Sequence, residues 1–138
     1  MDGRRAFLTG LALFALAHAG CGSKPAGAST VVGRVWYHGE PLPGGMIVFV
    51  PDEERGNTGP LVKSEIQSDG TFALDGFTGP GWYRMAIAPP LSAGSSAPTV
   101  SVLYPTVPSR YRNPQLSGLE GEVKPSGENE FEFVLRDG

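Results

Sequence analysis

Short apolar runs, each cut off by a cluster of glycine and proline, constrain this 138-residue chain more than any other feature. Twenty glycines and 13 prolines make up almost a quarter of it, which in a chain without apolar runs would signal disorder. Here the runs persist between the clusters, the pattern of many short strands punctuated by turns. Residues 30–37 alternate, with Val31, Gly33, Val35 and Tyr37 to one side and Val32, Arg34 and Trp36 to the other. Residues 46–50 are apolar throughout and read as a strand covered on both faces. Residues 61–67 and 71–74 flank Ser68-Asp69-Gly70, where Asp-Gly predicts a tight hairpin. Residues 82–88 alternate again and assign Tyr83 to the core. Residues 99–103 are expected to form a short edge piece. Residues 104–116 carry Pro105, Pro108 and Pro114 and suit neither regular strand nor helix. Residues 119–124 and 130–136 alternate, with Phe131, Phe133 and Leu135 inward and a second hairpin through 125–128. The reading is an all-β sandwich of about seven strands.

The N-terminus carries an address. Arg4 and Arg5 precede an apolar stretch over residues 7–17, well short of the roughly 20 residues that span a bilayer. Basic, then apolar, then small residues is the order of a cleavable export signal, and residues 1–20 are read as one, in helical form. Cys21 is the only cysteine, so it makes no internal disulfide, and outside the cytoplasm an unmodified thiol would be exposed to oxidation. Ala19-Gly20-Cys21 resembles the lipobox of bacterial lipoproteins, although His18 stands where leucine is usual. That resemblance makes Cys21 the lipidation site and a lipid-anchored position facing the periplasm or exterior the expected location. Gly22 after the cysteine, where aspartate commonly holds such proteins at the inner membrane, favours the outer one. Arg4-Arg5-Ala6-Phe7-Leu8 also resembles a twin-arginine signal, which implies export of a folded domain. Residues 21–29 form a flexible tether and 30–136 the domain. Residues 1–20 hold one acidic and two basic side chains, so removing them takes the net charge from −3 to −4. With no basic block, nucleic acid is not an expected partner.

Val32-Gly33-Arg34-Val35, Gly39-Glu40-Pro41-Leu42-Pro43-Gly44-Gly45, Ile47-Val48-Phe49, Asp69-Gly70-Thr71-Phe72 and Gly81-Trp82-Tyr83 together resemble the carboxypeptidase regulatory-like domain. The resemblance implies a transthyretin-like, or prealbumin-like, sandwich. Val107-Pro108-Ser109-Arg110-Tyr111, Ser117-Gly118-Leu119 and Glu122-Val123 are similar to small lipoproteins of planctomycete-type bacteria. These motifs are turn positions that speak for the fold and little for function.

No catalytic set is legible. The hydroxyisourate hydrolases of the transthyretin-like fold need histidines and a terminal Tyr-Arg-Gly-Ser, whereas this chain ends Leu135-Arg136-Asp137-Gly138. Beyond the leader His38 is the one histidine, and it sits in a turn, too few for the two-Tyr, two-His iron site of intradiol dioxygenases or for a zinc site. Asp52-Glu53-Glu54 offers oxygen ligands for calcium, but a loop charge run is ordinarily solvated surface. Asp69 and Asp75 read as turn residues. Glu120, Glu122, Glu130 and Glu132 are expected on the outer face of a terminal hairpin, discouraging edge pairing. Neither metal nor cofactor is implied. Trp36 and Trp82, opposite the apolar stripes, and Arg110, Tyr111 and Arg112 in the proline-rich loop are the candidate binding surface. The expectation is a non-catalytic envelope lipoprotein serving as a structural or protein-interaction module, with carbohydrate or peptide binding as the alternative.

Overall fold

Strand β1 (Ser29–Tyr37) is the hub of one sheet, and the computed structural model describes residues 28–77, 79–90 and 104–138 around it. The expected leader, Cys21, the tether up to residue 27 and the edge piece at 99–103 lie outside the described residues. Among the described residues no helix is long and apolar enough to cross a membrane.

Among the described residues eight strands form two four-stranded sheets, one more strand than the alternation suggests. The addition is β2 (Glu40–Pro41), too short to leave a periodic signal. It returns on β1 through His38-Gly39, whose φ values of 54° and 80° suit a two-residue hairpin turn with both central residues left-handed. One flank of β1 carries β2 and, further along, antiparallel β5 (Thr71–Phe77). The other carries β8 (Gly127–Leu135), parallel to β1 along its whole length. The second sheet is antiparallel in the order β4 (Val62–Glu65), β3 (Met46–Pro51), β6 (Gly81–Ala88), β7 (Glu120–Val123).

Both expected hairpins are instead corners that switch sheets. β4 pairs with β3 in one sheet while β5 pairs with β1 in the other. The Asp69-Gly70 turn closes with the Gly70 amide on the Gln67 carbonyl (2.9 Å) and the Gln67 amide on the Thr71 carbonyl (2.8 Å). Gly70 has φ of 81°, and a Cβ there would press on the Val35 carbonyl. Likewise β7 pairs with β6 and β8 with β1, so Glu120 and Glu122 belong to one sheet and Glu130 and Glu132 to the other. Turn chemistry is the same for a hairpin and a corner; the choice is made by where the apolar faces find cover.

The core holds the stripes the alternation selects. Val31, Val35, Phe72, Phe77, Phe133 and Leu135 from the first sheet meet Ile47, Phe49, Tyr83, Met85, Ile87 and Val123 from the second. Phe49 is central, with ring centroids 6.0–6.2 Å from Phe72, Phe77, Tyr83 and Phe131, the spacing at which tilted and edge-on rings attract. The apolar strand β3 buries Ile47 and Phe49 and leaves Met46, Val48 and Val50 half-buried, so its second face is covered only in part.

Residues 104–119 strap the two sheets together without regular structure beyond a short 3-10 turn, Ser109–Arg112. Ser117 donates its hydroxyl to the Met85 carbonyl (2.6 Å), and the Met85 amide donates to Leu119 (2.8 Å), fixing the strap to β6. The Tyr37 hydroxyl oxygen lies 3.1 Å from the Thr106 carbonyl, and Tyr111 reaches the end of β8.

Candidate functional site

Each outer face of the sandwich carries one tryptophan, and their settings differ. Trp82, on β6, lies under the Arg55 guanidinium, 4.2 Å from the ring centroid. Arg55 is held by both carboxylate oxygens of Glu120 at 3.1 Å. Beside it, Asp52 caps the 3-10 turn Glu53–Arg55 by accepting from the Glu54 amide. Asp52 is only 2% exposed, and its carboxylate meets Arg84 Nε at 3.2 Å and Arg55 Nε at 3.5 Å. Arg84 also binds Glu54 and Gln115; the Glu54 bond first, and the charge of Asp52 after it, raise the guanidinium pKa further. The loop acids considered for calcium are thus ion-paired to arginine, apart from Glu53. A buried carboxylate is stable when its charge and lone pairs are matched in this way. The cluster clamps the 52–57 loop to the sheet, helped by Asn57, which donates to the Trp82 carbonyl at 2.8 Å.

The Arg110-Tyr111-Arg112 patch resolves into parts with different surroundings. Tyr111 is 4% exposed and belongs to the core cluster. Its hydroxyl accepts from the Arg136 amide (2.8 Å) and donates to the Arg136 carbonyl (3.1 Å). Arg110 sits 4.8 Å over that ring and donates to the same carbonyl at 2.7 Å. Arg112 alone of the three is exposed. The motif is chiefly the latch that fastens the strap to the first sheet.

At the same end of the molecule, Asp137 receives the Tyr37 hydroxyl at 2.7 Å and lies 2.7 Å from His38 Nε2. The Tyr37 bond first, and then the charge of His38, hold Asp137 below the usual carboxylate range; the same bond raises the Tyr37 phenol.

The outer face of the first sheet is different. A groove of about 600 Å³ runs over β8, β1 and β5, within the range of small-ligand sites. Its floor is Val32, Arg34, Trp36, Thr71 and Ala73; Glu130 and Glu132 line one side, and Ser64, Glu65 and Gln67 the other. Three carboxylates therefore face one guanidinium. None of the four makes an ion pair with a described residue, although Glu132 is the cross-strand partner of Arg34. Arg34 lies 5.4 Å from the Trp36 ring centroid. Arg34 Nε and Trp36 Nε1, both donors, are buried and have no partner among the described residues. Thr71 hydrogen bonds, and to a smaller extent the Arg34 charge, lower the pKa of nearby Asp69. Among the described residues no three of His, Cys, Asp and Glu converge as metal ligands.

Trp36 and Trp82 therefore stand on different sheets and form no shared platform. Of the sequence candidates, the groove takes Trp36 alone. It adds Arg34, Glu65, Gln67, Glu130 and Glu132, which become neighbours only through the parallel pairing of β8 with β1 and the β4–β5 corner.

No family model matches this sequence, and no curated protein matches it. Among solved structures the chain is similar to a DUF3823 family protein from Parabacteroides merdae ATCC 43184, with TM-score 0.46 and 19% identity over 80% of this chain and 47% of that one. It thus spans about half of that structure. It is also similar to the dioxygenase domain of a dioxygenase carbohydrate-binding protein fusion from the cellulolytic bacterium Streptomyces sp. SirexAA-E, with TM-score 0.40 and 18% identity over 83% of this chain and 82% of that one. The class defined by the fold itself is a small all-β sandwich of two sheets. The likenesses assign it neither a family nor a chemistry.

Proposed function

We propose that this chain is a lipid-anchored envelope protein whose carboxypeptidase regulatory-like sandwich works as a non-catalytic interaction module, with the outer face of the first sheet as its working surface. One observation carries the reading. The groove gathers Glu65, Glu130, Glu132 and Arg34, none ion-paired to a described residue, around a half-buried indole, and its Arg34 Nε and Trp36 Nε1 are buried donors with no partner among the described residues. Charged groups held that way in a concave patch are available to a second molecule. The anchor rests on Arg4-Arg5, the short apolar leader and Ala19-Gly20-Cys21, with the membrane as the first partner.

Two measurements test the two halves. Labelled palmitate fed to a bacterial host is expected in the parent and absent from Cys21→Ala, with the parent in the membrane fraction; equal labelling, or a soluble intact precursor, defeats the anchor. A photo-cross-linking side chain at Ala73, on the groove floor, is expected to give envelope adducts that the same group at Thr58, in the loop after Asn57, does not. Adducts from neither position defeat the interaction surface. A saccharide-binding reading of the same groove is favoured by Trp36, whose ring could stack on a sugar, with Arg34, Gln67 and Glu132 to meet hydroxyls. Saturable quenching by a neutral oligosaccharide would support it.

A further inference from the structure

We propose that the occupant of the groove is an extended peptide segment of a partner protein carrying basic side chains at alternate positions; this rests on the groove being the working surface. The charge on its walls is the first ground. Glu65, Glu130 and Glu132 outnumber Arg34, so the occupant must bring positive charge and donors to the walls, while the unpartnered donors Arg34 Nε and Trp36 Nε1 call for acceptors such as the carbonyls of a peptide backbone. Spacing is the second. Glu130 and Glu132 are alternate residues of one strand, so their side chains emerge about 6.6 Å apart. A peptide laid extended along the groove presents its residues i and i+2 on one side at that same interval. The floor is the third. From Val32 to Trp36 it is about 13 Å long at the rise of a strand, room for four residues of extended chain. Trp36 closes one end with a ring that can take the aliphatic stem of lysine or the plane of arginine.

The test uses the full chain with Trp82→Phe, so that Trp36 is the sole indole reporter, and calorimetry on the parent as a readout independent of that substitution. The probe is an acetylated and amidated Lys-Ala-Lys-Ala-Lys peptide. Saturable binding that shifts Trp36 emission and weakens as salt rises is expected. Glu130→Gln with Glu132→Gln should weaken it about tenfold, the loss of two exposed pairs. Glu53→Gln with Glu122→Gln removes the same charge away from the groove and should leave affinity within about twofold. Equal weakening by both pairs, or equal binding of a Glu-Ala-Glu-Ala-Glu peptide, overturns the proposal. So does an emission shift with a neutral oligosaccharide but not with the basic peptide, although that result keeps the groove as a binding surface. Silence from every probe while Ala73 still cross-links rejects the ligand class alone, and silence from both rejects the surface as well.

Discussion

Tyr111 shows how an aromatic flanked by two arginines, which looks like a contact patch, becomes a structural latch. Its hydroxyl both accepts from and donates to Arg136, so Tyr111→Phe takes the acceptor from the part-buried Arg136 amide, while the Arg136 carbonyl keeps its bond from Arg110. The expected cost is about 1–2 kcal/mol in urea denaturation, while exposed Arg112→Ala should change stability by less than about 0.5 kcal/mol. Asp52→Asn removes the charge that faces both Arg84 and Arg55. Because Arg84 keeps Glu54 and Gln115, the loss should be about 2 kcal/mol, below the 3–5 of a wholly buried pair. The hook between Tyr37 and Asp137 depends on pH with a definite sign. The carboxyl of Asp137 is held low in the fold, so its contribution is full above the unfolded value near 4 and is lost as pH falls through the folded one. The phenol of Tyr37 is held high, so its contribution is full below about pH 10 and lost as pH rises through the raised value. The difference in urea midpoint between the parent and Tyr37→Phe should therefore be greatest between about pH 5 and 9 and shrink at both ends. A difference independent of pH would remove the hydrogen bond to Asp137 from the explanation.

The strands test how far alternation alone can be read. Strands β1, β6 and β8 fall where the period of two places them, and their inward stripes are core, because a half-buried sheet face imposes that period directly, while β3 falls where its unbroken apolar run does. Pairing is a different matter. Asp69-Gly70 and Ser126-Gly127 announce turns, but a turn does not record whether its arms stay in one sheet. The parallel register of β8 on β1 joins Ser29 to Gly127, so no local signal could bring Arg34 beside Glu132 or mark the groove. Trp36 was visible as an outward aromatic, whereas Glu130 and Glu132 read only as solvated charge. Tyr111 escaped because its proline-rich strap has no period from which burial could be inferred. Contacts between the sheets carry a sharper prediction. Gly121 of β7 faces Phe131 of β8, and a Cβ at 121 would overlap that ring. Gly121→Ala should destabilise by about 1–3 kcal/mol through overpacking. Adding Phe131→Leu should return part of that loss, a coupling measurable in a double-mutant cycle. Strict additivity would mean that the two sheets do not meet at this point.

The order in which strands are made relative to their partners links the fold to the proposed export. β1 is the first strand of the sandwich and β8 the last, and β8 is the partner of β1 along its full length. Until residue 135 has been synthesised, β1 lacks that neighbour, and Phe133 and Leu135 are missing from the core. Long-range parallel pairing of this kind has to meet its loop-closure cost before contacts repay it, so folding should be complete only after residue 135 has left the ribosome. A late-folding domain behind a leader beginning Arg4-Arg5 suits an export route that carries finished folds. Two variants separate the possibilities. Lysine at both Arg4 and Arg5 keeps the charge that any leader needs, yet should leave uncleaved precursor in the cytoplasm if the arginine pair itself is read. Deleting residues 124–138 should leave a chain without cooperative unfolding that is likewise retained, since its central strand has lost a flank. If both variants are instead exported and trimmed at the parental rate in a pulse-labelling experiment, the chain crosses unfolded, and β8 must find β1 on the far side of the membrane.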